Sequence, residues 1–194
     1  MSHSYNHRVA VSANPRLDNL LAGLVLNLAE EGRQALERAS GLTGSATVAL
    51  LALEEFLAGA HVGRVADVLG LTHSGAVRLV TQLEHDGLAE RHQGADRRRV
   101  EVQLTAKGQR QAHAARAARD DVIAGATSGL TIDEREILEA LLDKLVSARV
   151  ASRIERRRAG QNGAWWCRTC DFAACGRPEG RCPAQTTAAQ TFTQ

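Results

Sequence analysis

The chain has 194 residues, 44% of them hydrophobic, and a formal net charge of only +2, which suits one domain with at most a small appendage and excludes a polycation. No apolar run approaches the roughly 20 residues that cross a bilayer, and the polar start from Met1 to Val11 has no signal-type apolar stretch, so a cytoplasmic protein is expected. Aromatic residues are 3% of the chain, which favours an aliphatic helical core over a β-sandwich or a base-stacking surface.

Residues 1–14 read as a flexible tail. From Pro15, the apolar residues Leu17, Leu20, Leu21, Leu24, Val25 and Leu28 recur at helical spacing, predicting a helix to about Ala39 that ends at Gly41. Val48, Leu50, Leu51, Leu53 and Phe56 then make a helix apolar nearly all round, which requires burial on more than one side. A short helix from Val62 to Leu69 breaks at Gly70-Leu71-Thr72. Thr72 is placed to cap the next helix, which stops at Gly87. Candidate strands at 88–91 and 100–104 flank a polar turn and an arginine run; Val100, Val102 and Leu104 alternate with Glu101 and Gln103. Thr105 restarts helix to about Ala126. Thr131-Ile132-Asp133-Glu134 has the form of a capping box and opens a long helix striped by Ile137, Leu138, Leu141, Leu142, Leu145, Val146, Val150 and Ile154.

These elements predict a mainly α fold with a small β-wing: a winged helix-turn-helix flanked by long dimerisation helices. It would span 15–158, with its DNA-reading part at 61–104. A cysteine-rich metal-binding segment would follow at 159–184, and a disordered Thr/Gln/Ala tail at 185–194. The apolar stripes of the first and last long helices exceed what a small winged-helix domain covers alone, so a homodimer is expected.

A helix-turn-helix braces one helix against a second that enters the major groove. Val65, Ala66 and Leu69 would form the apolar face of the first, and Val77, Val80 and Leu83 would face inward from the second. That leaves Ser74, Arg78 and Gln82 on one outward face beside His73 and Gly75. Arginine pairs with guanine, glutamine with adenine, and serine or a helix N-terminus with phosphate; Gly75 removes bulk where the helix would approach DNA. Arg97, Arg98 and Arg99 follow the turn Gly94-Ala95-Asp96, where guanidinium groups suit a narrow minor groove and its phosphates, with Asp96 pinning an arginine or the turn. The other histidines, His61, His85, His92 and His113, read as surface residues. Arg153, Arg156, Arg157 and Arg158 read chiefly as charges that complement a helix dipole.

The run from Val65 to Val80, followed by Leu83-Glu84, Asp86-Gly87-Leu88, Asp96-Arg97-Arg98 and Leu104-Thr105-Ala106-Lys107-Gly108, resembles the MarR family of bacterial regulators over about residues 15–155. The resemblance implies a homodimer built on the terminal helices that binds double-stranded DNA at a pseudo-palindromic operator, commonly as a repressor. It also implies that a small-molecule or redox effector releases the DNA, with no effector residues carried over, and that the chain is not an enzyme.

Cys167, Cys170, Cys175 and Cys182 fall in one window with the spacing Cys-x2-Cys-x4-Cys-x6-Cys, beside Trp165-Trp166. This tail departs from the ordinary family pattern. With no sign of export and no other cysteine to staple, a disulfide framework is disfavoured and metal binding is the better reading. The uneven spacing and Cys182-Pro183 favour an iron–sulfur cluster, with structural Zn2+ as the alternative. A cluster would sense redox state, nitric oxide or iron. Two rival functions remain open: a redox metalloprotein or electron carrier using Cys167 and Cys170, and an interaction adaptor that does not read DNA.

Overall fold

A computed structural model describes residues 14–94, 100–161 and 163–192. In chain order the elements are α1 (Pro15–Ser40), α2 (Ser45–Glu55), β1 (Ala60–His61), α3 (Val62–Leu69), α4 (His73–His85), β2 (Ala89–Gln93), β3 (Val100–Leu104), α5 (Ala106–Thr127), α6 (Ile132–Arg158), a 3-10 turn (Trp166–Thr169) and α7 (Pro183–Phe192). The fold is mainly helical with a small antiparallel sheet, a winged helix-turn-helix with long flanking helices. Among the described residues, no helix is long and apolar enough to cross a membrane.

Helix boundaries follow local chemistry. Asn14, counted with the tail in the sequence reading, instead caps α1, its side chain accepting from the Leu17 amide at 3.0 Å. Thr72 caps α4 through the Gly75 amide, and Thr105 caps α5 through the Gly108 amide, both at 3.1 Å. Thr131 and Glu134 form the expected capping box at the start of α6. The donor–acceptor pairs satisfy amides that a helix start otherwise leaves without partners.

The core forms around α2. Leu50, Leu51 and Leu53 are at most 1% exposed and Ala49 and Ala52 are fully buried, as an all-round apolar helix requires. Val65, Val68, Val80, Leu83, Leu88, Val102 and Ala112 join them from α3, α4, the wing and α5. The sheet has the order β1-β3-β2. β3 pairs with β2 from Ala89 opposite Leu104 to Gln93 opposite Val100, and with β1 at Ala60 opposite Val102. β1 was not expected: a two-residue strand has no alternation to read, and only its pairing defines it.

The segment Leu104-Thr105-Ala106-Lys107-Gly108 welds the wing to α5. The Thr105 amide donates to the Leu88 carbonyl at 3.0 Å, its hydroxyl to the Gly87 carbonyl at 2.8 Å, and Lys107 Nζ to the Asp86 carbonyl at 2.8 Å. Gly108 lies so close to this junction that a Cβ would stand 2.0 Å from the Leu88 oxygen.

One region departs from the sequence reading. The stretch 185–194, expected to be disordered, lies largely within α7, whose start packs on α6: Cys182 and Ala184 are buried with Val150, against Val146 and Ile154. Its weak composition is offset by that docking. Long apolar stripes nevertheless stay open on the single chain, with Leu17, Leu20, Leu24 and Leu26 of α1 at 55–70% exposure and Ile137, Leu141, Leu142 and Leu145 of α6 at 48–62%.

Gly108→Ala should lower unfolding free energy by about 2–4 kcal/mol in urea denaturation, because backbone rather than a flexible side chain blocks the methyl group. Gly125→Ala in the same helix, where nothing lies within 4 Å of the new carbon, should instead stabilise by up to about 1 kcal/mol.

Candidate nucleic-acid interface

α3 and α4 are joined by Gly70-Leu71-Thr72, with Gly70 in the left-handed region at φ 68°. Val65, Val68 and Leu69 of α3 face Ala76, Val80 and Leu83 of α4 in the core. Val77 was expected to face inward with the last group. It is 37% exposed, and Ala76, one position round the helix, takes the buried place. Val77 instead lines an open groove with His61, His73, Thr81, Arg91 and Val100.

The outward face matches expectation in exposure: His73, Ser74, Arg78 and Gln82 are all solvent-facing, and Gly75 is half-buried. Gly75 has a reason of its own, since a Cβ there would press on the Thr72 hydroxyl at 3.1 Å. Gln82 is engaged within the chain, its amide donating to both carboxylate oxygens of Asp86 at 3.0 Å. The Asp86 carboxyl is held below its usual value, first by Gln82 and then by His85. Arg78 therefore stands as the charged group on this face, with Gln82 kept in register one turn below.

Sequence reasoning missed the brace behind this helix. Arg91 reaches from β2 across to α4, pairing with Glu84 and donating to the Thr81 hydroxyl at 3.2 Å. No local pattern marks a contact ten residues apart between a strand and a helix. His61 is also more than a surface residue, since its Nδ1 caps α3 by accepting from the Arg64 amide at 3.1 Å. Arg97, Arg98 and Arg99 of the expected wing tip, with Asp96, lie outside the described residues; the hairpin is described as far as Gln93 opposite Val100.

Residues 40–99, which contain α2, α3, α4 and β2, match the sequence profile of the MarR family. The match is confined to that window, which holds the helix-turn-helix. Solved structures extend the likeness beyond that window. A MarR family protein from Bacillus stearothermophilus is 28% identical with a TM-score of 0.58, covering 66% of this chain and 89% of its own. YusO from Bacillus subtilis is 24% identical with a TM-score of 0.61, covering 71% and 99%. MepR from Staphylococcus aureus, solved as a complex with DNA, is 25% identical with a TM-score of 0.52, covering 68% and 96%. MepR is described as a transcription regulator of the multidrug efflux pump MepA. No curated protein matches the chain in sequence.

The cysteine segment is bolted to the winged-helix body by contacts that its sequence did not announce. The Trp165 amide donates to the Val68 carbonyl at 2.7 Å, and Arg64 lies 4.0 Å over the Trp165 ring. Phe172 stacks on Phe56 at 5.0 Å, and its amide donates to Glu55 at 2.9 Å. Arg116 of α5 is buried between Glu54 and Glu55 and donates to the Cys170 carbonyl at 3.0 Å.

The four cysteines are all free thiols, Cys182 buried and the others half-buried. They act on one another. Cys167 is held down to about 7, first by a hydrogen bond with Cys170 and also by Arg177. Cys170 is pushed up by the same bond, by burial and by the other three sulfurs. Cys175, whose thiol donates to the Phe172 carbonyl at 3.5 Å, is pushed up to about 11, mainly by burial. The four sulfurs therefore influence one another's protonation within one segment. As they stand, no three His, Cys, Asp or Glu side chains among the described residues form a ready metal-binding group.

Beside this segment lies a largely apolar cavity of about 670 Å³ between α1, α2 and α5, lined by Leu28, Leu36, Val48 and Ile123, with Arg119 and Arg168 at its polar side. Arg168 comes from between Cys167 and Cys170, so the cysteine segment forms one wall.

Arg116→Ala should cost about 3–5 kcal/mol in equilibrium unfolding, because Glu54 and Glu55 would lose the cation that compensates their burial. The same variant should red-shift tryptophan emission as the segment around Trp165 loosens from α3.

Proposed function

We propose that the chain is a homodimeric, sequence-specific regulator that binds a pseudo-palindromic DNA operator and acts as a repressor. The observation that carries this reading is the outward face of α4: exposed His73, Ser74, Arg78 and Gln82 on a helix capped at Thr72 and braced by Arg91. The DNA complex of MepR lends support to the same use of the fold. Ser74 would take phosphate, Arg78 guanine and Gln82 adenine, with Arg97, Arg98 and Arg99 following the minor groove. The open stripes of α1 and α6 support dimerisation, since burying each of those leucines against a second copy would contribute about 1.5–3 kcal/mol.

Cys167, Cys170, Cys175 and Cys182 would hold an iron–sulfur cluster, with structural Zn2+ as the second reading. The four-thiol donor set and its mutual electrostatic coupling support a shared ligand. The thiols would have to draw together to meet one. A cluster would supply one-electron redox chemistry and so a sensor of redox state, nitric oxide or iron. CouR of Rhodococcus jostii, of similar fold, is known bound to p-coumaroyl-CoA. The 670 Å³ cavity is the corresponding candidate for a small-molecule effector here.

Arg78→Ala should lower affinity for an operator selected from random duplexes by about 1–3 kcal/mol in fluorescence anisotropy and relax preference at one base pair. Unchanged affinity and preference would overturn the reading face. Anaerobic purification with metal analysis should give a brown, iron-containing protein, and Cys170→Ser should lose the metal while the dimer persists. A colourless, zinc-loaded protein would select the second metal reading, and a metal-free one would overturn both.

A further inference from the structure

The end of α6 carries Arg153, Arg156, Arg157 and Arg158, with the exposed Glu155 among them. The long return of α6 brings this end beside the turn that opens the reading helix. One groove is lined by Gly70, Leu71 and Thr72 of the turn, Ala66 and Asp67 of α3, and Arg157 with Gly163. A second, smaller depression shares Arg157 and Gly163 and adds Arg153, Arg156 and Gln161. The two form a continuous basic furrow that leads to the N-terminus of α4.

Among the described residues, Arg153, Arg156 and Arg157 form no ion pair with a carboxylate. Arg156 donates only to the Ser152 hydroxyl at 2.8 Å, one turn back, and Arg157 to the Gly163 carbonyl at 3.3 Å. Arg156 and Arg157 are both exposed. Asp67 is the one acid lining the furrow, and it is paired with none of these arginines. Burial and the neighbouring arginines, Arg168 first, push the Arg153 guanidinium below its ordinary value. A helix dipole needs one cation near its end and does not explain such a concentration.

We propose that Arg153, Arg156 and Arg157 form a second DNA-contact surface, gripping backbone phosphates that flank the groove entered by α4. This rests on the DNA-reading function proposed above. Guanidinium groups suit phosphate oxygens, and such contacts fix register without reading sequence. The surface would therefore raise affinity for every duplex alike. It would also supply positive charge that a chain of net +2 has to concentrate locally.

The test compares full-length wild-type protein with Arg156→Gln, Arg153→Gln and Arg78→Ala on a duplex selected by the wild type and on an unrelated duplex of equal length, across a salt series. Arg156→Gln is the primary variant because its side chain bonds only within its own helix. Each α6 substitution should reduce the slope of log affinity against log salt by about 0.9. It should weaken both duplexes by the same factor, with melting temperature and dimer dissociation unchanged. An unchanged salt slope would overturn the inference. A weakened dimer with normal affinity per dimer would also overturn it, assigning the arginines to a protein interface. If Arg78→Ala weakens only the selected duplex while the α6 variants bind normally, the reading helix stands and the second surface falls. If the wild type retains no duplex at all, both fall.

Discussion

The fold depends on the enclosure of α2. A helix whose Leu50, Leu51 and Leu53 are all buried must be surrounded, and the surrounding elements are those that create the candidate interface: α3, the wing and α5. Each such leucine contributes about 1.5–3 kcal/mol. The larger effect is geometric, because α3 and α4 share that one core and cannot shift independently. The outer face of α4 is thereby presented on a rigid support. Thr72 and Arg91 then fix, respectively, its start and its roll.

The cysteine segment uses the same support from the opposite side. Phe172 extends the core through Phe56, at the end of α2, and Arg116 links Glu54 and Glu55 to the Cys170 carbonyl. Trp165 attaches to the last turn of α3, two residues before Gly70, where Ala164 lies so close that a Cβ on the glycine would stand 2.6 Å from its amide nitrogen. Any rearrangement of Cys167 or Cys170 would be felt within a few residues at the turn that opens the reading helix. Interfaces packed this closely respond by switching between arrangements more readily than by bending. The cysteine segment is thus coupled by direct packing to the turn that opens α4.

What was legible in the sequence was local. The caps at Thr72, Thr105 and Thr131 need only a side chain and an amide three residues on, and the winged helix-turn-helix followed from such signals joined in order. The contacts that were not legible join distant elements: Arg91 to Glu84, Trp165 to Val68 and Phe172 to Phe56. Val77 and Ala76 show the limit of periodicity, since one step round a helix is about 100° and the stripe's edge is decided by what packs against it. The tail at 185–194 misled for a related reason. Its composition is that of a solvated segment, and its helix is stabilised by α6, an element more than 25 residues away.

Net charge misleads in a similar way. A chain at +2 would by composition be a poor partner for DNA, but several of its acids are tied to basic partners within the fold. Glu30 and Glu37 are engaged with Arg33 on α1, and Glu54 and Glu55 with Arg116 in the interior. Acids tied up this way neutralise their partners locally and contribute little at a distance, particularly at ordinary salt where screening extends about 8–10 Å. Arg78, Arg156 and Arg157 have no such partners among the described residues and stand exposed. The effective positive charge of this region is set by which arginines remain free: Arg78 on the outer face of α4, and Arg157 beside the turn that opens it.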